Sequence, residues 1–447
     1  MKTNLQKTAA FGALVAALTP QSSFAGGFNL DHQNAAALGA AFAGAEAAPG
    51  DAGYAAYNPA SIAGLEGAEF NASITGIFPS VSYSGANATL LGVAPVSGAS
   101  SGDDVSDTAF VPNISIGVPV TDRLALGLVA NASFGLKTEF AADSIARYQA
   151  QASDLKVFEI TPMAAYEITS ALRLGAGLRI QRMDLSLTSV IDAGGVAAAN
   201  SFPGFSPGSS DLFAGFDVDN VAIGYTVGLQ ADVSPQFHAG FSYLSKIDHA
   251  LDGDARFDLA SSPAAQALNG VAGLFGADRF TSDFATPATA ALGLRYEMSD
   301  SVTLMASARV MFWSSFDVIT LAFNDGATPA EVLTQDWKDS VLLSVGGEFA
   351  AGPDTTIRAG FMYDESPVND RFASPRIPDG DRYWLAAGLA QNLGDKLSAD
   401  IGLAYAFFSD RPIDLDGAAP ENLFRGSLTA NFETEVFAAS LRLRYKF

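Results

Sequence analysis

The chain has 447 residues, 25 Lys and Arg against 48 Asp and Glu, a formal net charge of −23 and no cysteine. So acidic a chain has too few cations to neutralise phosphate backbones, which excludes a nucleic-acid partner. The lack of Cys excludes disulfides and thiol chemistry, and 43 Gly with 32 Phe and only 16% charged residues argues against a string of ordinary soluble domains.

The N-terminus carries Lys2 and Lys7, a short apolar run over residues 9–18, and small residues at Ser23 and Ala25. This is the layout of a secretory signal peptide over residues 1–25, and its apolar run is too short to span a bilayer. Residues 26–67 do not alternate. Leu30, Asn34, Leu38 and Phe42 recur at helical spacing in an Ala-rich run that ends near Gly44. A second short helix is predicted to start at Asn58-Pro59, with Asn as N-cap and Pro at the first helical position, where its missing N–H would be unpaired anyway. Asn58, Pro59 and Ala60 are explained by capping alone, or by capping together with a role in an N-terminal hatch.

From residue 68 to 447 the dominant signal is alternation of period two. Phe70, Ala72, Ile74, Gly76 and Phe78 alternate with Glu69, Asn71, Ser73 and Thr75. Leu124, Leu126, Leu128, Ala130, Ala132 and Phe134 are predicted to share one face. The pattern returns near 172–180, 221–231, 237–243, 288–296, 302–312, 341–349, 357–363, 383–389 and 397–407, and more weakly near 110–120 and 155–167. The last strand sets Leu441, Leu443, Tyr445 and Phe447 against Arg442, Arg444 and Lys446. Counted together these are about fourteen segments, an even number, as single-chain bacterial barrels require.

Short turns at 121–123, 232–236, 298–301, 351–354 and 392–395 alternate with long stretches near 79–109, 136–154, 188–217, 246–285, 315–337, 364–380 and 409–430. Outer-membrane barrels have this layout, with short periplasmic turns and long extracellular loops. Lipid also demands closure, because a free strand edge cannot be solvated there. The predicted fold is therefore all-β: a transmembrane antiparallel β-barrel of about 14 strands over residues 68–447. A small N-terminal helical hatch over residues 26–67 would sit inside its lumen, which is wide enough at this strand number to hold a plug. The terminal strand ending in Phe resembles the assembly signal of bacterial outer-membrane barrels, which implies the barrel assembly machinery as a partner.

Chemistry-bearing residues are sparse. The only histidines, His32, His238 and His249, are scattered and suggest neither a triad nor a metal cluster. No catalytic residue, metal ligand or cofactor is predicted, and no enzyme. The "DGDARFD" run (252–258) lacks the full calcium-loop pattern and reads as a solvated acidic loop. Inward-facing Arg and Glu on nearly every strand read either as a selectivity lining or as ion pairs that satisfy a plugged interior. Residues 262–277 read as a helical loop segment, either packed on the surface or serving as an apolar landing site.

Several ordered blocks resemble the FadL/TodX-type outer-membrane transporters of long-chain fatty acids and other hydrophobic compounds. They are "GGF" at the mature start, "LGAAFAGAEAAPGDAG" (38–53), "NPA" (58–60), "VPN" (111–113), "FGLKTEF" (134–140), "FWSSF" (312–316), "DWKDS" (336–340), "YDESPV" (363–368) and "IPDGDRYWLAAG" (377–388). The resemblance spans nearly the whole mature chain. It implies an N-terminal Phe, here Phe28, reaching toward a ligand pocket, and a kinked third strand with its bend at Phe134 and Gly135. Asp364 and Arg382, within the last two of these blocks, read as a pair near the external rim, anchoring a loop or contacting ligand. The cations that hold an anionic headgroup in the family fall here at Ser189 and Leu333. Arg147, Lys246, Arg256, Arg279 and Lys338 lie near the external side as possible replacements.

The implied function is passive uptake of long-chain fatty acids or other hydrophobic small molecules, by apolar pocket binding and lateral release into the membrane. The implied location is the bacterial outer membrane, among its lipids and lipopolysaccharide. The rival readings are a general aqueous porin and an outer-membrane lipid-acting enzyme.

Overall fold

A computed structural model describes residues 27–447, so the predicted signal peptide lies outside the described residues. Fourteen strands form one closed antiparallel barrel. They are β1 (Glu69–Leu90), β2 (Ala109–Pro119), β3 (Leu124–Glu139), β4 (Ala152–Thr169), β5 (Leu172–Asp192), β6 (Asp211–Ser234) and β7 (Phe237–Leu244), followed by β8 (Thr289–Ser299), β9 (Val302–Met311), β10 (Ser340–Ala350), β11 (Thr355–Asp364), β12 (Arg382–Asn392), β13 (Leu397–Phe408) and β14 (Ser427–Lys446). The first and last strands close the ring, from Glu69↔Lys446 to Thr89↔Ser427, with an irregularity between Ser84 and Asn87.

Alternation places the chemistry as the pleat requires. On β5, Leu178 is 58% exposed and its neighbour Arg179 is 2% exposed. Leu126, Leu174, Ile223, Leu385 and Phe437 stand out on the same outer band. That is a lipid-facing surface around an interior of Arg, Glu, Asp, Gln and small residues.

The strands run past the predicted limits at the long-loop end. β1 reaches Leu90 although its outer half, "SVSYSGANATL", is too polar to read as a membrane strand. It persists there because its backbone groups stay paired with β14. Beyond the barrel, the strands Ile247–Phe257 and Arg279–Thr286 pair with each other and form a rim above β7 and β8. Helix α2 (Ala193–Ala199) and helix α3 (Pro263–Ala272) pack together there through Ala193, Ala197, Ala264, Ala265 and Leu268. The helical character expected of residues 262–277 is thus confined to α3, packed on its neighbour, with Val271 left 78% exposed.

The N-terminal segment occupies the lumen. Helix α1 (Ala35–Gly39) is capped by Asn34, whose Oδ1 accepts from the Ala36 and Ala37 N–H groups at 2.8 and 3.4 Å. It is shorter than the helical spacing of Leu30 to Phe42 predicts. Ala41 and Phe42 adopt positive φ, 51° and 62°, which no α-helix tolerates. Three 3₁₀ turns follow, at Ala45–Ala47, Ala52–Tyr54 and Pro59–Ile62. The second predicted helix is only the last of these turns. The segment meets the wall backbone to backbone. A Cβ on Gly228 or Gly175 would overlap Asn58-Pro59, one on Gly240 would overlap Glu46, and one on Gly402 would overlap Ala35. Many of the chain's strand glycines are there because the hatch leaves no room for a side chain.

Candidate functional site

The wall is irregular at β3. It pairs with β2 only from Pro119↔Ala125 to Asn113↔Asn131. Above that point β2 stays with β1 as far as Ala109↔Ile77. β3 stays with β4 as far as Glu139↔Ala152, with Ser133 as an extra residue between Ala132 and Phe134. The loop leading into β2 bridges back to β3 higher up, where the Glu139 N–H donates to the Val105 carbonyl at 2.9 Å and Lys137 pairs with Asp107. A bulge bends its strand and ends local pairing, and the side chains record the bend. Leu126 and Leu128 face lipid at 49% and 37% exposure, yet Ala132 and Phe134 are buried. The six residues predicted to share one face therefore do not: the face turns inward at Ser133, next to the predicted kink pair Phe134 and Gly135.

The N-terminal segment takes the hydrogen bonds that β2 leaves. The Leu30 N–H donates to the Ser133 carbonyl at 3.0 Å, and the Gly135 N–H donates to the Phe28 carbonyl at 2.9 Å. Phe28 is held between these bonds and a ring of aromatics. Its centroid lies 4.6 Å from Trp313, 5.4 Å from Phe316, 5.7 Å from Trp337 and 5.8 Å from both Phe134 and Phe284. The cluster is closed, and Phe28 is 1% exposed.

Asp364 and Arg382 come together as an ion pair, Nε to Oδ2 at 3.2 Å, but not on an exposed rim. Arg382 is fully buried, stacked over Phe408, and shared with Asp379 at 3.2 Å. Loop 365–381 folds over them. Asp379 accepts from the Gly27 N–H at 3.2 Å and from the Ser366 hydroxyl at 2.8 Å. The pair thus anchors the start of the N-terminal segment as well as the loop. Asp379 was not singled out from sequence. Its only signal is its place three residues before Arg382.

Asn58 both caps and tethers. Its Oδ1 accepts from the Ala60 N–H at 2.9 Å, while Nδ2 donates to the Glu46 carbonyl at 2.7 Å and the Leu229 carbonyl of β6 at 3.1 Å. Pro59 and Ala60 continue the turn against Gly175. The inward charges are paired. Arg179 meets Glu159 at 2.8 Å, Arg358 meets Glu348 and Asp400 at 2.8 and 2.7 Å, and Arg309 holds Asp31. Arg442 joins Asp51 of the hatch at 3.0 Å to Asp400 of the wall at 2.8 Å. Replacing Arg442 with Met would cut this link between hatch and wall, leaving Asp51 to Arg444 and Asp400 to Arg358. We expect a loss of about 1.5–3 kcal/mol, the scale of charge-assisted hydrogen bonds lost where each carboxylate keeps another cation, seen as a lower gel-shift temperature of the folded barrel. An unchanged transition would mean that the network is not holding the hatch.

Above the aromatic cluster, a cavity of about 740 Å³ lies among the long loops. Its wall includes Val190, Ile191, Phe257, Phe275, Phe323 and Phe424, with Ser189, Glu331 and Arg425 among its polar groups. Val190, Ile191, Phe257 and Phe323 also pack on the cluster that holds Phe28, so the apolar surface is continuous from loops to stopper. Leu333 sits in a small hairpin opposite Ile319. The cations named as replacements are all engaged: Arg147 with Asp211, Lys246 with Asp248, Arg256 with Asp217, Arg279 with Asp252 and Lys338 with Glu365.

A closed fourteen-strand barrel with a lipid-facing band, a packed hatch and an apolar loop cavity is a plugged outer-membrane transport barrel. The chain belongs to the family described as outer membrane protein transport proteins (OMPP1/FadL/TodX), which matches residues 15–447. It is an outer-membrane protein. It is 26% identical over 412 residues to a long-chain fatty acid transport protein of Escherichia coli, covering 88% of this chain and 89% of that one. The crystal structure of a Pseudomonas aeruginosa FadL homologue superposes with a TM-score of 0.84 at 25% identity, covering 94% of this chain and 100% of that one. The toluene transporter TbuX of Ralstonia pickettii shares the fold, with a TM-score of 0.65 at 19% identity over 93% of this chain and 98% of that one.

Proposed function

We propose that this protein takes up long-chain fatty acids or other hydrophobic small molecules passively, binding them in the loop cavity and releasing them sideways into the outer membrane. One observation carries the reading: the apolar surface runs from the loop cavity to the Phe28 cluster and ends where the β2–β3 ladder is open. A greasy molecule gains about 0.8 kcal/mol for each CH₂ buried along such a surface. The same gain awaits it in lipid, so partition supplies the driving force and no energy-coupling partner is required. Phe28 would act as the stopper, with Asn58, Pro59 and Ala60 seating the hatch, and Phe134 and Gly135 shaping the exit. The Asp364–Arg382 pair would hold the closed N-terminus through Asp379. Outer-membrane lipid is then the acceptor, lipopolysaccharide the surrounding barrier, and the barrel assembly machinery the reader of the Phe447 terminus. A general aqueous porin fits poorly with a lumen filled by buried ion pairs and a packed hatch, and an enzymatic role has no support in the scattered histidines.

The test is extraction and mass spectrometry of hydrophobic molecules bound to protein purified from its own membranes in mild detergent. The expected result is a long-chain amphiphile or hydrocarbon in near-stoichiometric amount. Recovery of bulk membrane phospholipid alone, in the proportions of the membrane, would contradict a dedicated pocket.

A further inference from the structure

We infer that Arg376 receives the anionic headgroup of the transported molecule, which makes a long-chain carboxylate the substrate class; this rests on the transport reading above. Four other Lys or Arg among the described residues form no ion pair: Arg123, Arg371, Lys396 and Lys446. All four are exposed. Arg376 alone is unpaired and largely enclosed. It sits on loop 365–381 where that loop dips into the barrel mouth, between Ala373 and Ile377 of the Phe28 cluster.

A guanidinium has five N–H donors, and Arg376 uses three of them. Nη1 donates to the Ala152 carbonyl at 2.8 Å and the Ser153 hydroxyl at 3.0 Å, and Nη2 donates to the Thr188 carbonyl at 2.9 Å. Nε is buried with no partner. The neutral acceptors orient the group without cancelling its charge. Burial draws its pKa down to about 10, with Glu331 opposing and Arg425 reinforcing the fall. That is still far above neutrality, so the group stays a cation. An enclosed cation without a counter-ion is costly unless something supplies one.

The surroundings say what that is. Thr188, held by Nη2, is followed directly by Ser189 and Val190 in the wall of the loop cavity. Glu331 and Arg425, paired with each other, line the same cavity and act electrostatically on Arg376. Arg376, Glu331 and Arg425 sum to one positive charge, and Glu421 in the same cavity wall adds a negative one, which suits a single carboxylate better than a phosphate dianion. The adjoining surface toward Phe28 is apolar and suits a hydrocarbon tail. Arg and carboxylate are matched in geometry, and charge-assisted bonds are the stronger kind. On this reading the headgroup is held from loop 365–381, and Ser189 in the cavity wall and Leu333 carry no charge.

The test compares binding of oleate and methyl oleate to the full mature protein in non-ionic detergent, by equilibrium dialysis. The two probes share a tail and differ in charge. Wild type is expected to bind oleate about tenfold or more tightly than the ester, the scale of a charge-assisted bond. Arg376→Gln should bind both alike, at the wild-type affinity for the ester, which also shows that it is folded. Arg376→Lys should keep most of the preference. Equal binding of the two probes by wild type, or a preserved preference in Arg376→Gln, overturns the inference and leaves the transport reading standing. Binding of neither probe by wild type overturns the transport reading and this inference with it.

Discussion

Deleting residues 26–67 from the mature chain is expected to turn a nearly silent barrel into a conducting pore in planar bilayers. This is the largest single change that we anticipate. Helix α1 and the three 3₁₀ turns fill the lumen down to the wall backbone, with Leu38, Phe42, Ala45, Ala60 and Ile62 all essentially unexposed. Nothing of comparable bulk from the strands themselves would replace them. Removal would uncover Arg309, Arg442 and Arg444 to water and free the β3 groups bonded to Phe28 and Leu30, while the ladders between the strands stay. The intact protein should show a flat baseline with rare openings, and the deleted form should show porin-like steps. A wide-open channel in the intact protein would mean that the hatch does not seal.

Straightening β3 is expected to abolish uptake while leaving assembly intact. Deleting Ser133 would let Ala132 and Phe134 stand consecutively opposite Phe158 and Val157, restoring a regular ladder. A straight β3 would offer its outer edge to β2 above Asn131 and close the opening. Gly135→Val acts in the same direction, because a β-branched residue favours the extended, regularly paired strand. Uptake of labelled oleate by cells should fall to the level of cells lacking the protein. Heat-modifiability on gels should stay normal, which reports a folded barrel. Wild-type uptake by both variants would place the exit elsewhere.

The architecture was largely legible because lipid enforces a period of two on every spanning strand, and because long and short connections alternate visibly. The pairing of the first and last strands at Glu69 and Lys446 and the inward placement of Arg and Glu follow from that, whereas the choice between a selectivity lining and ion pairs did not. The bend was only half legible. Leu124 to Phe134 alternates without a break, so nothing in the periodicity marks the turn of the face at Ser133. That turn depends on Leu30 and Phe28 offering backbone partners, a long-range fact with no local trace. Exposed rim or buried anchor could not be decided for Asp364 and Arg382, since a loop folding inward carries no periodic signal. Asp379 and Arg376 escaped notice for the same reason. The Gly residues of the wall, by contrast, were visible as a composition bias and acquire their meaning only once the hatch is seen against them.

The central claim is delivery into the membrane, not across it. It is tested most directly with purified protein in liposomes, inserted with the loops outward, containing a membrane-embedded quencher and loaded or not with albumin as an interior acceptor. A fluorescent long-chain fatty acid is added outside as a complex that cannot itself partition. The account predicts protein-dependent quenching by the bilayer at the same rate with or without interior albumin, and a strong slowing in the Ser133 deletion. Transfer that requires interior albumin and precedes any signal from the bilayer would contradict it, and would show that ligand leaves past the hatch.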